Sequence, residues 1–246
     1  MTPDEALARL LALGFGDADA HALLAHFEDA ERGGRLGHGL SRVAWLETQA
    51  FDPATRPRRI IAEPGYERWN GAGALGYLTL ETICAATLAE PPTHARIVVA
   101  ERCFPTGVLG YWARRLAVGG LVAALTATSP RRLPHPEGGP PLTGTNPLAI
   151  AIPASDGRPL VADVSMGAVT YGDVLTGAAK PEELVPFGGE HAHKAFALAV
   201  GLELLVAALA GPEHGAVLVV ARPEHDPVPA FRALAAGLRL PGDRGG

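Results

Sequence analysis

The chain has 246 residues, of which 48% are hydrophobic, and this is enough to bury one substantial core or two coupled lobes. The formal net charge is −5 and no basic block stands out, so we expect no nucleic-acid partner. Two cysteines, Cys84 and Cys103, are too few for a disulfide framework and lack metal-ligand spacing. We therefore expect a reduced, cytoplasmic protein.

Residues 1–56 are predicted to form a helical segment. Thr2 and Glu5 have the spacing of a capping box around a first helix that Gly14 ends. A second helix is predicted over residues 18–32, because its apolar residues recur on one face and a glycine pair follows it. A third helix is predicted after His38.

Residues 57–246 are predicted to form a body in which strands and helices mix. The predicted strands are 59–63, 66–69, 96–100, 121–128, 148–152, 160–164 and 216–221, and the predicted helices are 75–89, 110–118, 193–209 and 227–238. The Pro/Gly-rich stretch 133–145 is predicted to be a loop, and 241–246 a tail. The sequence therefore predicts a mixed α/β (α+β) fold.

The most apolar stretch covers residues 195–210. It is short for a membrane span and carries Glu203 near its middle, so we predict a buried core helix and no membrane partner.

Residues 71–76 spell Gly-x-Gly-x-x-Gly between a predicted strand and a predicted helix, which is the context of a dinucleotide-binding turn. However, no acidic residue closes a second strand at the expected distance, since the next predicted strand ends at Glu101. A single match in a chain with 30 glycines carries little weight. A simple tight turn is the favoured interpretation, and a Rossmann-type nucleotide site is the alternative.

A glycine-rich cluster around His38 is the first candidate for chemistry. His38 lies between Gly37 and Gly39, so we expect its ring to be open to close approach by a ligand. Arg42 follows four residues later, on the same face of a helix that begins near Gly39. An arginine can clamp the carboxylate of a 2-oxo acid while a histidine gives a proton to its oxygen. The structural alternative is a helix cap followed by a solvated arginine.

Three further stretches carry polar groups at the ends of predicted elements. Asp163 closes an apolar strand, where a carboxylate can orient a histidine or cap a following helix. Backbone amides near Thr145 and the Asn146 side chain can hold a phosphate or amide group, or can form a structural turn. Lys194 follows a glycine pair at a helix start, which favours an anion. The His-x-His pair beside Lys194 points its rings apart, so no metal is predicted.

Taken together, five colinear segments resemble the malate/L-lactate dehydrogenase family that lacks the Rossmann fold. GTNPLAIAIP is the most specific of them, and the order of all five is stronger than any one. The segments are ERGGRLGHGLSR (31–42), GVLGYWARRLAVGGLVAALTATSP (107–130), GTNPLAIAIP (144–153), LVADVSMG (160–167) and GGEHAHKAFALAVGLELLVAALAG (188–211). The resemblance covers about residues 3 to 211.

The resemblance implies the family's mixed α/β fold, a homodimer, and hydride transfer between NAD or NADP and a small 2-oxo acid or cyclic imino acid. It makes His38 the proton donor, with Asp163 beside it holding the imidazole. Substrate contacts are assigned to Arg42, Thr145 and Asn146. Cofactor contacts are assigned to Gly107, Thr128, Gly144, Thr145 and Lys194.

The chain also departs from the family pattern. Gly37 stands where the family has a serine, Pro105 where it has a histidine, and Ala195 where a glycine follows the lysine. Only about two dozen residues separate Asp163 from the glycine pair that begins at Gly188, where the family has a long segment. These departures keep a second hypothesis open: a repurposed, non-redox member that binds a small carboxylate in a biosynthetic pathway.

Overall fold

The structure is a computed structural model that describes residues 1–243, so residues 244–246 of the predicted tail lie outside the described residues. The helices are α1 (Pro3–Ala12), α2 (Asp17–Arg32), α3 (Ser41–Leu46), α4 (Gly76–Ala89), α5 (Leu109–Val118), α6 (Tyr171–Leu175), α7 (Ala192–Ala210) and α8 (Val228–Leu234). The strands are β1 (Arg58–Glu63), β2 (Tyr66–Asn70), β3 (Ala95–Glu101), β4 (Val122–Ala127), β5 (Leu133–His135), β6 (Gly138–Thr143), β7 (Leu148–Ile152), β8 (Leu160–Val164) and β9 (Ala216–Ala221).

The N-terminal helices begin and end where local signals predict. The backbone N–H of Glu5 donates to Thr2 Oγ1 over 3.2 Å, and the backbone N–H of Thr2 donates to Glu5 Oε2 over 2.8 Å. These two bonds are the predicted capping box, which satisfies donors that the first turn leaves without intrahelical partners. The change from helices to strands lies between Leu46 and Arg58, near the predicted boundary at residue 56.

Across residues 1–243, seven strands form one sheet in the order β1-β2-β3-β9-β4-β7-β8. Strands β2 and β3 are parallel, and the other neighbouring pairs are antiparallel. A helix, α4, connects the parallel pair, as a crossover between parallel strands requires. The predicted mixed α/β fold is confirmed.

The two faces of the sheet carry different layers. On β3, Val98 and Ala100 join a core with α2, α4 and α5, whereas Val99 packs with Val206 and Ala210 of α7. Successive side chains of a strand point to opposite faces, so this alternation places α7 opposite the other three helices. The larger core also includes Leu10 of α1, so the helical segment and the body share one core.

Three elements, β5, β6 and α6, were not predicted, and the ends of several others differ from the prediction. Residues 133–143 form a hairpin of β5 and β6, rather than a loop, with Pro134 paired to Pro141. Because proline cannot donate a ladder hydrogen bond, the sequence pattern argued against strands there. Helix α6 was not predicted, the predicted helix 75–89 begins at Gly76, and α8 ends at Leu234, before the predicted Leu238.

Helix α7 is not the buried core helix that the sequence predicts. Its small residues Ala195 and Ala199 are buried, but Leu198, Leu204 and Leu205 are 52, 62 and 45% exposed. By length and composition, Gly189–Ala210 is apolar enough to cross a membrane, and it is the helix within residues 1–243 that meets this test. The prediction was wrong because α7 buries mainly its small residues against the body, while these three leucines remain exposed.

Candidate active site

A cavity of about 640 Å³ lies where the N-terminal segment meets the body. Four stretches of chain form most of its wall: the turn before α3 together with α3, the segment leading into α5, the segment after β4, and the segment from the end of β8 into α6. Tyr77 of α4 and the residues Thr145 and Pro147 before β7 complete it. Small-molecule and cofactor sites usually measure about 300–1,000 Å³, so the volume suits a ligand.

His38 lines this cavity at the end of a short 3-10 turn, Leu36–His38. The sequence suggested that the flanking glycines open the ring to a ligand, but in the structure they have a different role. A Cβ on Gly37 would overlap the backbone of Gly172 in α6, and a Cβ on Gly39 would overlap the Glu31 side chain. The glycines therefore let other parts of the protein pack closely around His38, and the ring reaches the cavity between them.

The charge of His38 is set by burial and by neighbouring arginines. The pKa of His38 is lowered to about 4, chiefly by burial and then by the positive charges of Arg42 and Arg35, while Asp173 opposes them. The Nδ1 atom of His38 is buried and has no hydrogen-bond partner among the described residues. At neutral pH the imidazole is therefore neutral.

Arg42 also lines the cavity, and its side chain is not the solvated one of the structural alternative. It is 8% exposed, and its guanidinium lies over the Trp45 ring, 5.2 Å from the centroid. Its Nε is buried without a partner, and no ion pair joins Arg42 to a described carboxylate. A buried cation without a counter-ion is costly, so the site favours an anion here.

Asp163 lines the same cavity but does not hold the imidazole of His38. Its Oδ2 accepts hydrogen bonds from Arg35 over 2.5 Å and from the backbone N–H of Gly110 over 2.9 Å. Arg35 is 128 positions away in the chain, and no sequence pattern linked the two. The predicted Asp163–His38 contact is therefore wrong in this structure, because an arginine forms a stronger, charged pair with the carboxylate.

The carboxylate that acts on His38 electrostatically is Asp173, which the sequence analysis did not single out. Its Oδ2 accepts from the backbone N–H and from the hydroxyl of Thr170, both over 2.8 Å. Thr170 and Asp173 form a capping box at the start of α6. Thr170 and Asp173 are three positions apart, as are Thr2 and Glu5, so the same spacing could have predicted the start of α6.

Besides Arg42, three of the residues predicted to bind cofactor or substrate line the cavity, namely Gly107, Thr128 and Thr145. Asn146 does not. It is fully buried, and its amide Nδ2 donates to Ala199 O over 3.0 Å and to Glu203 Oε2 over 2.6 Å. Asn146 therefore anchors α7 to the start of β7, which corrects the predicted substrate contact.

Gly144 and Lys194 also lie outside this cavity. The N–H of Gly144 donates to Glu203 Oε2 over 3.3 Å, and a Cβ there would overlap Ser129. Lys194 is exposed in the first turn of α7. The cofactor contacts predicted for these two residues therefore stay predictions, and any such contact would lie outside this cavity.

The Gly-x-Gly-x-x-Gly stretch forms the tight turn that the sequence favoured. The backbone N–H of Ala74 donates to Gly71 O over 2.8 Å. A Cβ on Gly71 would overlap Arg102 O, and a Cβ on Gly76 would overlap Pro105 O. These glycines are needed because the segment after β3 packs directly against them.

A fully buried histidine behind the cavity was also missed. His26 Nε2 accepts from the backbone N–H of Val108 over 3.0 Å, next to the cavity wall. The rings of Tyr77, Tyr111 and Trp112 lie 5.0, 4.9 and 5.2 Å from its own. Burial lowers the pKa of His26 to about 3, so this ring is neutral. A lone histidine on a helix gives no sequence signal of such surroundings.

The mostly antiparallel sheet separates this chain from the Rossmann proteins, and the fold and cavity together define a mixed α/β protein with a cation-lined cleft. A family model described as malate/L-lactate dehydrogenase matches residues 4–184. The chain belongs to this family, which confirms the resemblance.

Two curated relatives and one solved structure give the range of similarity. The chain is 32% identical over 200 residues to (2R)-3-sulfolactate dehydrogenase (NADP(+)) of Chromohalobacter salexigens. It is 28% identical over 229 residues to a Delta(1)-pyrroline-2-carboxylate/Delta(1)-piperideine-2-carboxylate reductase of Pseudomonas putida. These matches cover 74 and 80% of this chain but 56 and 66% of the relatives. A dehydrogenase from Sinorhizobium meliloti superposes with a TM-score of 0.84 at 25% identity, over 99% of this chain and 89% of that one.

Proposed function

We propose that this protein is an NAD(P)-dependent reductase that transfers a hydride to C2 of a small 2-oxo acid or cyclic imino acid. The observation that carries the proposal is the pairing of His38 with Arg42 in one cavity. One group exchanges a proton, and the other is a buried cation with no counter-ion among the described side chains. Membership of the family and the dehydrogenases and reductases among the relatives support it.

In this mechanism Arg42 binds the substrate carboxylate and His38 handles the proton. The positive charge of Arg42 contributes to the low pKa of His38. A bound carboxylate offsets that charge, so substrate binding favours uptake of a proton by His38. His38 then donates it to the oxygen or nitrogen on C2 during reduction. In the reverse direction, neutral His38 accepts the proton of the hydroxyl group.

The cavity fits the reactive end of a nicotinamide cofactor. Its volume of about 640 Å³ exceeds the needs of a small acid alone, and open space adjoins Gly34 on the cavity wall. Gly107, Thr128 and Thr145 would hold the cofactor through backbone and hydroxyl groups. When bound, the cofactor supplies the hydride.

Steady-state kinetics with NADH or NADPH and a panel of 2-oxo and imino acids test the proposal. We expect His38→Ala to lower kcat about 10²- to 10⁴-fold, the usual contribution of general acid–base catalysis. Arg42→Gln should mainly raise the substrate KM. Exposed His225 lies outside the cavity, so His225→Gln is the matched control. Unchanged activity in His38→Ala would contradict the mechanism.

A second candidate is the non-redox carboxylate-binding protein. The relatives, which are named dehydrogenases and reductases, do not favour it. Calorimetry with NADH, NADPH and small carboxylates separates the two candidates. Binding of a carboxylate without binding of either dinucleotide supports the second candidate and contradicts the first.

We also propose that the exposed apolar face of α7 packs against a second copy of the chain. Leu198, Leu204 and Leu205 lie on this helix with about half of each side chain exposed, and a dimer would bury them. Light scattering should give twice the monomer mass, and Leu204→Glu should give the monomer. A monomeric wild type at working concentration would contradict the dimer.

Because Cys84 and Cys103 are both free, we propose a cytoplasmic location, which cell fractionation tests.

A further inference from the structure

Asp173 carries a negative charge on the cavity wall that no cation within residues 1–243 neutralises. Of the two aspartates that line the cavity, Asp163 is paired with Arg35, whereas Asp173 forms no ion pair within those residues. Its Oδ2 accepts from the backbone N–H and the hydroxyl of Thr170, both over 2.8 Å, and its Oδ1 accepts no hydrogen bond from the described residues. The carboxylate is therefore held in place and free to act on other groups of the cavity.

The packing of α6 places this carboxylate beside the turn that carries His38. Gly37 and Gly172 lie backbone against backbone: a Cβ on Gly37 would lie 2.7 Å from Asp173 N, and a Cβ on Gly172 would overlap Gly37 O. His38 directly follows the first glycine and Asp173 directly follows the second, and both residues line the cavity. This close approach brings an acid and an imidazole to one wall from distant parts of the chain.

The other groups around His38 do not favour a positive ring. Burial is the main cause that lowers its pKa, the charges of Arg42 and Arg35 add to it, and Asp173 acts in the opposite direction. His26 behind the cavity is neutral, because burial lowers its own pKa to about 3. The remaining titratable or charged groups beside the turn and on the cavity wall are Glu31, Tyr77, Arg132 and Asp163. Protonation of His38 therefore depends on the charge of Asp173.

We propose that Asp173 is the positioning residue for His38: its fixed negative charge stabilises the protonated imidazole during reduction, a role that the sequence assigned to Asp163. This inference rests on the proposed function. A substrate carboxylate offsets the charge of Arg42, and Asp173 supplies the counter-charge for the proton that His38 takes up. Because Thr170 holds the carboxylate, it needs no reorientation when the ring becomes charged. The proton passes from His38 to the oxygen or nitrogen on C2, and Asp173 stays ionised.

Three variants separate the charge of Asp173 from its structural role. Asp173→Asn removes the charge and keeps an amide oxygen that can accept from Thr170 N–H. Thr170→Ala is the matched structural control, because it breaks the same capping box and leaves the carboxylate. Glu182→Gln is the matched charge control, since Glu182 is an exposed acid outside the cavity. Thermal unfolding checks that each variant is folded.

The first readout is the pH profile of kcat for reduction of pyruvate with NADH or NADPH between pH 5.5 and 8.5. Only protonated His38 donates, so kcat of the wild type should fall as the pH rises through the pKa of His38 in the substrate complex. In Asp173→Asn this fall should move about one pH unit lower, which is about a tenfold loss at neutral pH that shrinks on acidification. Thr170→Ala and Glu182→Gln should keep the wild-type midpoint.

The second readout needs no turnover. The ring signal of His38 in NMR, assigned by its loss in His38→Ala, reports the protonated fraction. With a pKa of about 4, about a quarter of the wild-type rings should be protonated at pH 4.5, against less than about a tenth in Asp173→Asn. Tryptophan fluorescence gives the lowest pH at which both proteins are folded, and the fractions are compared there if it lies above 4.5.

Three kinetic results would overturn the role of Asp173. They are an unchanged midpoint in Asp173→Asn, a loss of kcat by the same factor at every pH, and an equal displacement of the midpoint in Thr170→Ala. If the wild type does not reduce pyruvate, the proposed function fails for this acid and the NMR comparison decides. A lower protonated fraction in Asp173→Asn then supports the inference, and equal fractions overturn it.

Discussion

His26 makes the stability of this protein depend on pH in a way that can be worked out from its surroundings. The folded-state pKa is about 3 and the ordinary value is 6.5, because burial disfavours the charged ring. Between these two values the unfolded chain binds a proton at this position and the folded chain does not. The free energy of unfolding therefore rises with pH in this window. The contribution of neutral His26 to stability is lost as the pH falls below about 6.5.

The magnitude follows from the linkage relation. Each pH unit below 6.5 costs about 1.4 kcal/mol at this site, so at pH 5 the loss relative to pH 7.5 is about 2 kcal/mol. The perturbation is His26→Gln, which removes the titration and keeps an oxygen that can accept from Val108 N–H. The variant loses aromatic contacts and is less stable at every pH, so the predicted quantity is the change in stability with pH.

Urea unfolding at pH 7.5, 6.5 and 5.0, followed by tryptophan fluorescence, measures this quantity. The wild type should lose about 2 kcal/mol more between pH 7.5 and pH 5.0 than His26→Gln. His225→Gln removes an exposed histidine and should retain the wild-type slope. Equal slopes for the wild type and His26→Gln would refute the reasoning, because the ring would then titrate alike in both states.

Three other substitutions test the structural roles described above. Thr2→Ala removes the capping hydroxyl of α1 and should cost about 1 kcal/mol in urea unfolding. Asn146→Ala should cost about 1–3 kcal/mol, since it leaves the Glu203 carboxylate without its amide donor; unchanged stability with a raised substrate KM would restore the predicted substrate contact. Gly37→Ala should reduce folded yield and activity because its Cβ meets the backbone of α6, whereas Gly65→Ala, with open space around it, should affect neither.

Elements whose signals lie within a few residues were predictable. The strands 148–152, 160–164 and 216–221 match β7, β8 and β9 residue for residue, because their apolar runs are bounded by turn residues. The capping box of α1 was equally readable. The hairpin of β5 and β6 was not, since its stability comes from pairing across Pro134 and Pro141 rather than from strand-forming residues.

The residues of the candidate site also fall into two groups: those that sequence spacing indicates and those that only the folded chain brings together. His38 and Arg42 are four positions apart, and the chain alone indicated that both would serve one pocket. The partner of Asp163 lies 128 positions away, and the partners of Asn146 in α7 lie 53 and 57 positions away. Short-range spacing controls what one turn of helix presents to a ligand. Which charges pair, and which polar groups are buried, depends on how distant segments pack, so those contacts emerged only from the folded structure.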